Sequence, residues 1–282
     1  MGAVEDIIKA NLALTEEKKQ LWQRLRMHQF AQALQENKPE ASPADIGAYY
    51  ANLCGVPDTT ENLCGTEFAY FCTYITELFG WRYPELNAEP EELDSKNRKT
   101  AYLQNSFSDK AYGLFSEEIP GMTAEYYPGF AEACEEVYDN RCKYVILPLY
   151  TSSDGRLISF QKLIAKYDLK ICMTAEINLS DENKMHFALL RKGIAVPVDH
   201  EFMDITLVLS EDVPMGRFLS ACEALGASTL TMNTIPLAYA DETEEFCIHF
   251  HTAKADIAAL ILFFEASQIR YTLNGIYSHI RT

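Results

Sequence analysis

Positive charge is scarce in this chain. Among its 282 residues, 24 are Lys or Arg and 41 are Asp or Glu, which gives a net charge of −17. Binding to nucleic acid draws on cations that neutralise phosphates, and anionic membranes attract the same residues. The balance therefore argues against both as partners. No apolar run reaches the ~20 residues needed to cross a bilayer. The start, Met1-Gly2-Ala3-Val4-Glu5-Asp6, lacks the basic-then-apolar order of a secretion signal. It also has no Ser or Thr at myristoylation spacing after Gly2. None of the eight cysteines forms a Cys-x-x-Cys pair, which argues against a zinc ribbon or a thioredoxin-type site. Thiols scattered among apolar neighbours read as buried and reduced, so a cytoplasmic protein without metal or cofactor is expected.

Hydrophobic residues make up 48% of the chain and charged residues 23%, enough for real cores in two or three domains. Residues 1–83 read as a helical domain. Thr15 caps an apolar-faced helix running through Glu36. Ser42-Pro43-Ala44-Asp45 opens a second helix that Gly55 closes. Thr59 or Thr60 starts a third, rich in aromatics (Phe68, Tyr70, Phe71, Tyr74, Phe79), with Gly80 as its stop. Those rings are read as core. Residues 84–99 are polar and aperiodic, a linker.

Residues 100–192 alternate strand and helix: strands at 100–103, 124–127, 144–149 and 170–176, helices at 108–115, 129–140 and 159–167. That alternation predicts an α/β lobe with a parallel sheet covered on both faces. Ligands of such sheets sit at the carboxyl ends of strands, here the loops after Leu103 and Leu149. Residues 203–282 read strand, helix, strand, strand, helix, strand. The βαββαβ order predicts a ferredoxin-like α+β fold. His249 and His251 share one face of a predicted strand and are read as cross-strand packing rather than metal ligands.

Three stretches carry a family likeness: Tyr102-Leu103-Gln104-Asn105-Ser106-Phe107-Ser108, then Pro148-Leu149-Tyr150-Thr151-Ser152 with Gly155, then Met185-His186-Phe187. Together with the framework around Phe130, Ala133 and Val137, they resemble the prephenate dehydratase family. The resemblance implies conversion of prephenate to phenylpyruvate in phenylalanine biosynthesis. The family's motifs are Tyr-Leu-Gly-Pro-x-Gly-Thr-Phe-Ser, Pro-Ile-Glu-Asn-Ser and Thr-Arg-Phe, whose threonine is catalytic. Here the glycines of the first are lost, Tyr150 and Thr151 replace the Glu and Asn, and Met185 and His186 replace the Thr and Arg. The family also places most of a second lobe between the positions of Glu176 and Met185, where this chain has eight residues.

The resemblance makes the C-terminal βαββαβ unit similar to the ACT domain, which binds phenylalanine at a dimer interface. It implies ligand contacts at Gly216, Arg217, Phe218 and Asn233 and a homodimer. The family's reaction expels a carboxylate and a hydroxide together. It needs a general acid and cations near the substrate carboxylates. Ser106, Ser152 and His186 are the candidate catalytic residues. Arg156 and Thr151 are the candidate substrate contacts, Arg156 as a bidentate partner for a carboxylate. The expected function is a catalytically degenerate homologue that binds an aromatic amino acid or a prephenate-like ligand in a regulatory role. An active divergent dehydratase and a structural or partner-binding module are the alternatives.

Overall fold

The computed structural model describes residues 42–81, 98–178, 184–209, 213–235 and 245–281. The expected helix from Thr15 to Glu36 lies outside the described residues, as do residues 84–97 of the expected linker. Among the described residues there are eight helices and ten strands. None of these helices is long and apolar enough to cross a membrane. The chain divides into two compact units. One holds Met1–Arg82, Glu211–Leu225 and Asp256–Ile269; the other holds Tyr83–Ser210, Gly226–Ala255 and Arg270–Thr282.

The first unit is helical. Helix α1 (Pro43–Cys54) begins with the expected capping box: Ser42 and Asp45 each satisfy the other's backbone N–H, and Pro43 sits in the first turn. Gly55 ends it in the left-handed region at φ 67°. The helix expected from Thr60 to Phe79 is two helices, α2 (Thr60–Leu63) and α3 (Thr66–Phe79). The break falls at Gly65, whose extended backbone (ψ 163°) starts α3 afresh. Helices α7 (Met215–Ala224) and α8 (Ile257–Ala266) belong to this unit too.

Its core is aromatic. Tyr50 packs on Phe68 at 4.8 Å between ring centroids, and Phe218 packs on Phe264 at 5.7 Å. Gly47 lets α1 approach α8 closely, since a Cβ there would lie 2.4 Å from the Ala266 carbonyl oxygen. Of the rings read from the sequence as core, Phe68 and Phe71 are buried, whereas Tyr70 is exposed.

The second unit is built on one sheet. Its strands are β1 (Lys99–Leu103), β2 (Thr123–Tyr127), β3 (Tyr144–Thr151), β4 (Gly155–Arg156), β5 (Leu169–Asn178), β6 (Lys184–Lys192), β7 (Phe202–Val208), β8 (Ser228–Ile235), β9 (Glu245–His251) and β10 (Arg270–Ile280). Their order is β2-β1-β3-β6-β5-β10-β7-β9-β8, with β4 paired to β3. Helices α4 (Ser106–Glu118), α5 (Phe130–Tyr138) and α6 (Ile158–Lys166) cover the β1–β6 part on both faces. Ala133, Val137 and Ile164 pack on Val145, Leu147 and Leu190. On the opposite face, Ala111 and Phe115 pack on Ile146, Phe187 and Leu189.

The sheet is mixed rather than parallel throughout. Strands β2, β1 and β3 run parallel as expected, but β6 is antiparallel to both β3 and β5. The cause is local: β5 returns directly as β6, with Asn178 opposite Lys184, so a hairpin stands at the position where the resemblance calls for a second lobe. Strand β10 joins the two halves, parallel to β5 and antiparallel to β7. Gly275 sits at this seam, where a Cβ would lie 2.4 Å from the Ile171 carbonyl oxygen. Strands β10-β7-β9-β8 are antiparallel in sequence order fourth, first, third, second, the arrangement of a βαββαβ unit.

Candidate functional site

A cavity of about 330 Å³ opens on one face of the second unit's sheet. That is at the small end of ligand-pocket sizes. It is lined from β3 by Leu149 and Tyr150, from β4 by Arg156, from β5 and β6 by Thr174 and His186, and from β7 by Phe202 and Asp204. Leu230 and Thr231 of β8, His249 of β9, and Tyr277 and His279 of β10 complete it. The pleat explains the set. Phe202 and Asp204, like Tyr277 and His279, are two residues apart and so point to one face. His186, Ala188 and Leu190 alternate in the same way on β6, and the latter two continue into the core beneath α5 and α6.

Arg156 reaches the cavity because of the turn before it. Thr151 Oγ1 accepts from the Asp154 N–H at 2.9 Å and donates to the Asp154 carboxylate at 3.0 Å. Gly155 then turns back in the left-handed region at φ 70°. The chain re-pairs with β3, Arg156 opposite Tyr150. The guanidinium is nearly buried and forks onto Asp204, with Nη1–Oδ2 at 2.8 Å and Nη2–Oδ1 at 2.9 Å. Nη2 also donates to Gln161 Oε1 at 2.8 Å. Asp204 further accepts from Asn274 Nδ2 at 3.3 Å and from the Cys247 thiol at 3.4 Å. Burial alone would raise the Asp204 pKa, but the adjacent guanidinium outweighs it and holds the carboxyl below its ordinary value.

Six of the lining side chains are rings. Tyr150 meets His186 at 5.3 Å, His186 meets His279 at 5.6 Å, and Phe202 meets His249 at 5.2 Å and Tyr277 at 5.9 Å. Burial lowers the pKa of all three histidines. For His186 the neighbouring His279 adds to that, while Glu176 opposes it. At neutral pH the imidazoles are therefore mainly uncharged, and the cavity's one ion pair cancels itself. His279 Nδ1 and Thr174 Oγ1 are 3.0 Å apart, and His186 Nε2 is 3.4 Å from Glu176 Oε2. Of the polar atoms buried without a partner among the described residues, two belong to the cavity lining, Arg156 Nε and His249 Nε2. Such an atom generally costs about 1–3 kcal/mol.

The residues singled out in the sequence are spread across the chain. His186 and Arg156 line the cavity. Thr151 is buried in the turn that aims Arg156, and Ser152 clamps β6: its N–H donates to the Lys184 carbonyl and its Oγ accepts the Lys184 N–H, both at 2.9 Å. Ser106 is exposed at the start of α4, outside the cavity lining. Gly216 and Arg217 are exposed in the first turn of α7, and Phe218 is fully buried there. Asn233 is partly buried on β8, opposite Cys247.

Sequence reading passed over Asp204, Thr174, Phe202, Tyr277 and His279. Asp204 had a signal, as a lone carboxylate in the apolar strand Met203-Asp204-Ile205-Thr206-Leu207. Among the described residues no three His, Cys, Asp or Glu side chains are grouped to hold a metal.

No family model and no curated protein sequence matches the chain. Solved structures do. Prephenate dehydratase from Streptococcus mutans superposes with a TM-score of 0.53 at 18% identity, over 66% of this chain and 100% of that one. The quorum quenching acylase GqqA superposes with a TM-score of 0.50 at 17% identity, over 64% and 94%. The chain thus has a divergent prephenate dehydratase-like fold, a mixed α/β architecture.

Proposed function

We propose that this protein is a catalytically degenerate member of the prephenate dehydratase-like group. It binds a small aromatic ligand and acts in a regulatory role in aromatic amino acid metabolism. The observation that carries this reading is the Arg156–Asp204 fork. Arg156 is the one Lys or Arg among the described residues lining the cavity, and both its terminal nitrogens are taken. A dianion such as prephenate would meet no free countercharge there, and an uncompensated buried charge is costly. His186 supports the same conclusion, because an imidazole kept neutral by burial is a poor general acid at pH 7.

In this proposal residues 203–282 supply an ACT-like region, through which a cytoplasmic homodimer assembles. The experiment is an assay of phenylpyruvate formation from prephenate, run beside thermal melts with phenylalanine, tyrosine, tryptophan, prephenate and the uncharged phenylacetamide. No turnover is expected, together with stabilisation by an aromatic ligand. At 100 times its Kd a ligand adds about 2.7 kcal/mol, which is visible at ~2–4 °C per kcal/mol for a domain of 150–250 residues. Enzyme-like turnover abolished by His186→Ala would instead establish the active divergent dehydratase.

A second reading has one observation in its favour. Thr174 and His279 form a hydroxyl–imidazole pair at the cavity wall, and one structural neighbour is an acylase. Amide hydrolysis lost in Thr174→Val would support it.

A further inference from the structure

We propose that the cavity on β3–β10 takes an uncharged, planar aromatic molecule that carries a hydrogen-bond acceptor. This rests on the reading of the cavity as a binding site and names its ligand class.

The shape argument comes from the rings. Tyr150, His186, His279, Phe202, His249 and Tyr277 follow one another at centroid spacings of 5.2–6.4 Å around the cavity. Aromatic side chains favour stacked or edge-to-face partners at these distances. A flat ligand ring extends the series, whereas a saturated ring does not.

The charge argument comes from the Arg156–Asp204 pair. Its two charges cancel, and Gln161, Asn274 and Cys247 fill further bonding positions on the pair. The further charges that act on the lining histidines are themselves paired, Glu176 with Lys184 at 2.6 Å and Glu201 with Arg281. A carboxylate in the cavity would gain no countercharge and would lose its water.

The polar argument comes from the two unpartnered nitrogens. Arg156 Nε–H is a donor in every protonation state a protein reaches, so it calls for an acceptor on the ligand. His249 Nε2 donates or accepts according to its tautomer, and so accommodates a carbonyl or an amide N–H. A neutral, carbonyl-bearing group suits the donor, and an amide suits either tautomer of the histidine.

The test uses the full chain and a matched trio: phenylacetamide, phenylacetate and cyclohexylacetamide. The first two differ in charge, the first and third in planarity. Dissociation constants come from titration calorimetry and from ligand-observed NMR. Phenylacetamide is expected to bind at least about tenfold more tightly than either of the others, a difference of about 1.4 kcal/mol.

Two variants locate the site. His249→Leu removes the unpartnered nitrogen and one ring. Leu230→Trp narrows the mouth at a side chain that is 50% exposed, where the fold tolerates change. Each is expected to weaken phenylacetamide by about tenfold or more, with circular dichroism and melting temperature unchanged for Leu230→Trp. Equal binding of acid and amide overturns the inference, as does absence of amide binding. So does undiminished binding by Leu230→Trp. Prephenate turnover is assayed separately: a positive result there removes the degenerate-enzyme reading, while the trio alone decides the ligand class.

Discussion

Two ion pairs flank the cavity, and their settings could hardly differ more. Arg156–Asp204 is nearly out of water, with side-chain exposures of 11% and 2%; Lys184–Glu176 stands at 49% and 28%. Both are short, at 2.8 Å and 2.6 Å. Length therefore does not separate them; solvent does. A buried pair is held in place by what its loss would leave behind, an uncompensated charge. An exposed pair returns its charges to water at little cost. One end of the cavity is thereby a fixed, self-neutral wall, and the other is an adjustable rim.

Breaking the buried end gives the largest effect. Asp204→Ala is expected to cost roughly 3–5 kcal/mol in urea unfolding, because Arg156 would stay buried and unpaired. Asn274 and Cys247 would also lose an acceptor. The double variant Arg156→Met/Asp204→Leu is expected to recover most of that loss, since replacing both members by apolar groups is often close to neutral. If the single and double variants lose the same stability, the buried pair does not behave as a self-contained unit.

The histidines sharpen the comparison through pH. Burial lowers the His249 pKa in the folded protein, so below about pH 6.5 the unfolded chain binds more protons than the folded one. Stability from this site is present above that pH and is lost as pH falls below it. His249→Gln is expected to flatten the fall in stability between pH 7 and pH 5, measured by urea midpoints. The same change at His186 is expected to do less. Its side chain is 31% exposed, and Glu176 partly offsets the desolvation.

These contrasts were only half legible in the sequence. The strand–helix alternation of residues 99–178 and the βαββαβ order of 202–280 follow from local periodicity, and there the expected elements stand within a few residues of the observed ones. Pairing across the chain has no such local mark. The parallel contact of β10 with β5 joins residues about a hundred positions apart, and it is set by the hairpin and by the close approach at Gly275. The site divides in the same way. Arg156 and His186 stood out beside motif remnants. Asp204, 48 positions from Arg156, and His279, 105 positions from Thr174, become partners only once β7 and β10 are laid beside the lobe. Arg156 looked like a free cation because its counter-ion lies in what read as another domain.

The smallest effect belongs to the exposed rim. Lys184→Ala removes one charge while keeping the strand's backbone bonds to Ser152, which use main-chain atoms of residue 184. The loss expected at neutral pH is about 0.5 kcal/mol, and it should shrink further in high salt. It also has a pH signature. The hydrogen bond from Lys184 holds the Glu176 pKa below its ordinary 4.5. A carboxylate lowered in this way contributes stability above its unfolded pKa and loses it as pH falls through the folded one. Wild type and Lys184→Ala should therefore converge in stability once pH falls below the lowered Glu176 pKa, where the carboxyl is protonated in both. The Asp204→Ala deficit should persist there, because the arginine charge remains at any pH. Urea unfolding of both variants at pH 7 and at the lowest pH where the fold survives reads the difference directly. A Lys184→Ala loss above about 2 kcal/mol would place this pair in the buried class, and the distinction between wall and rim would fail.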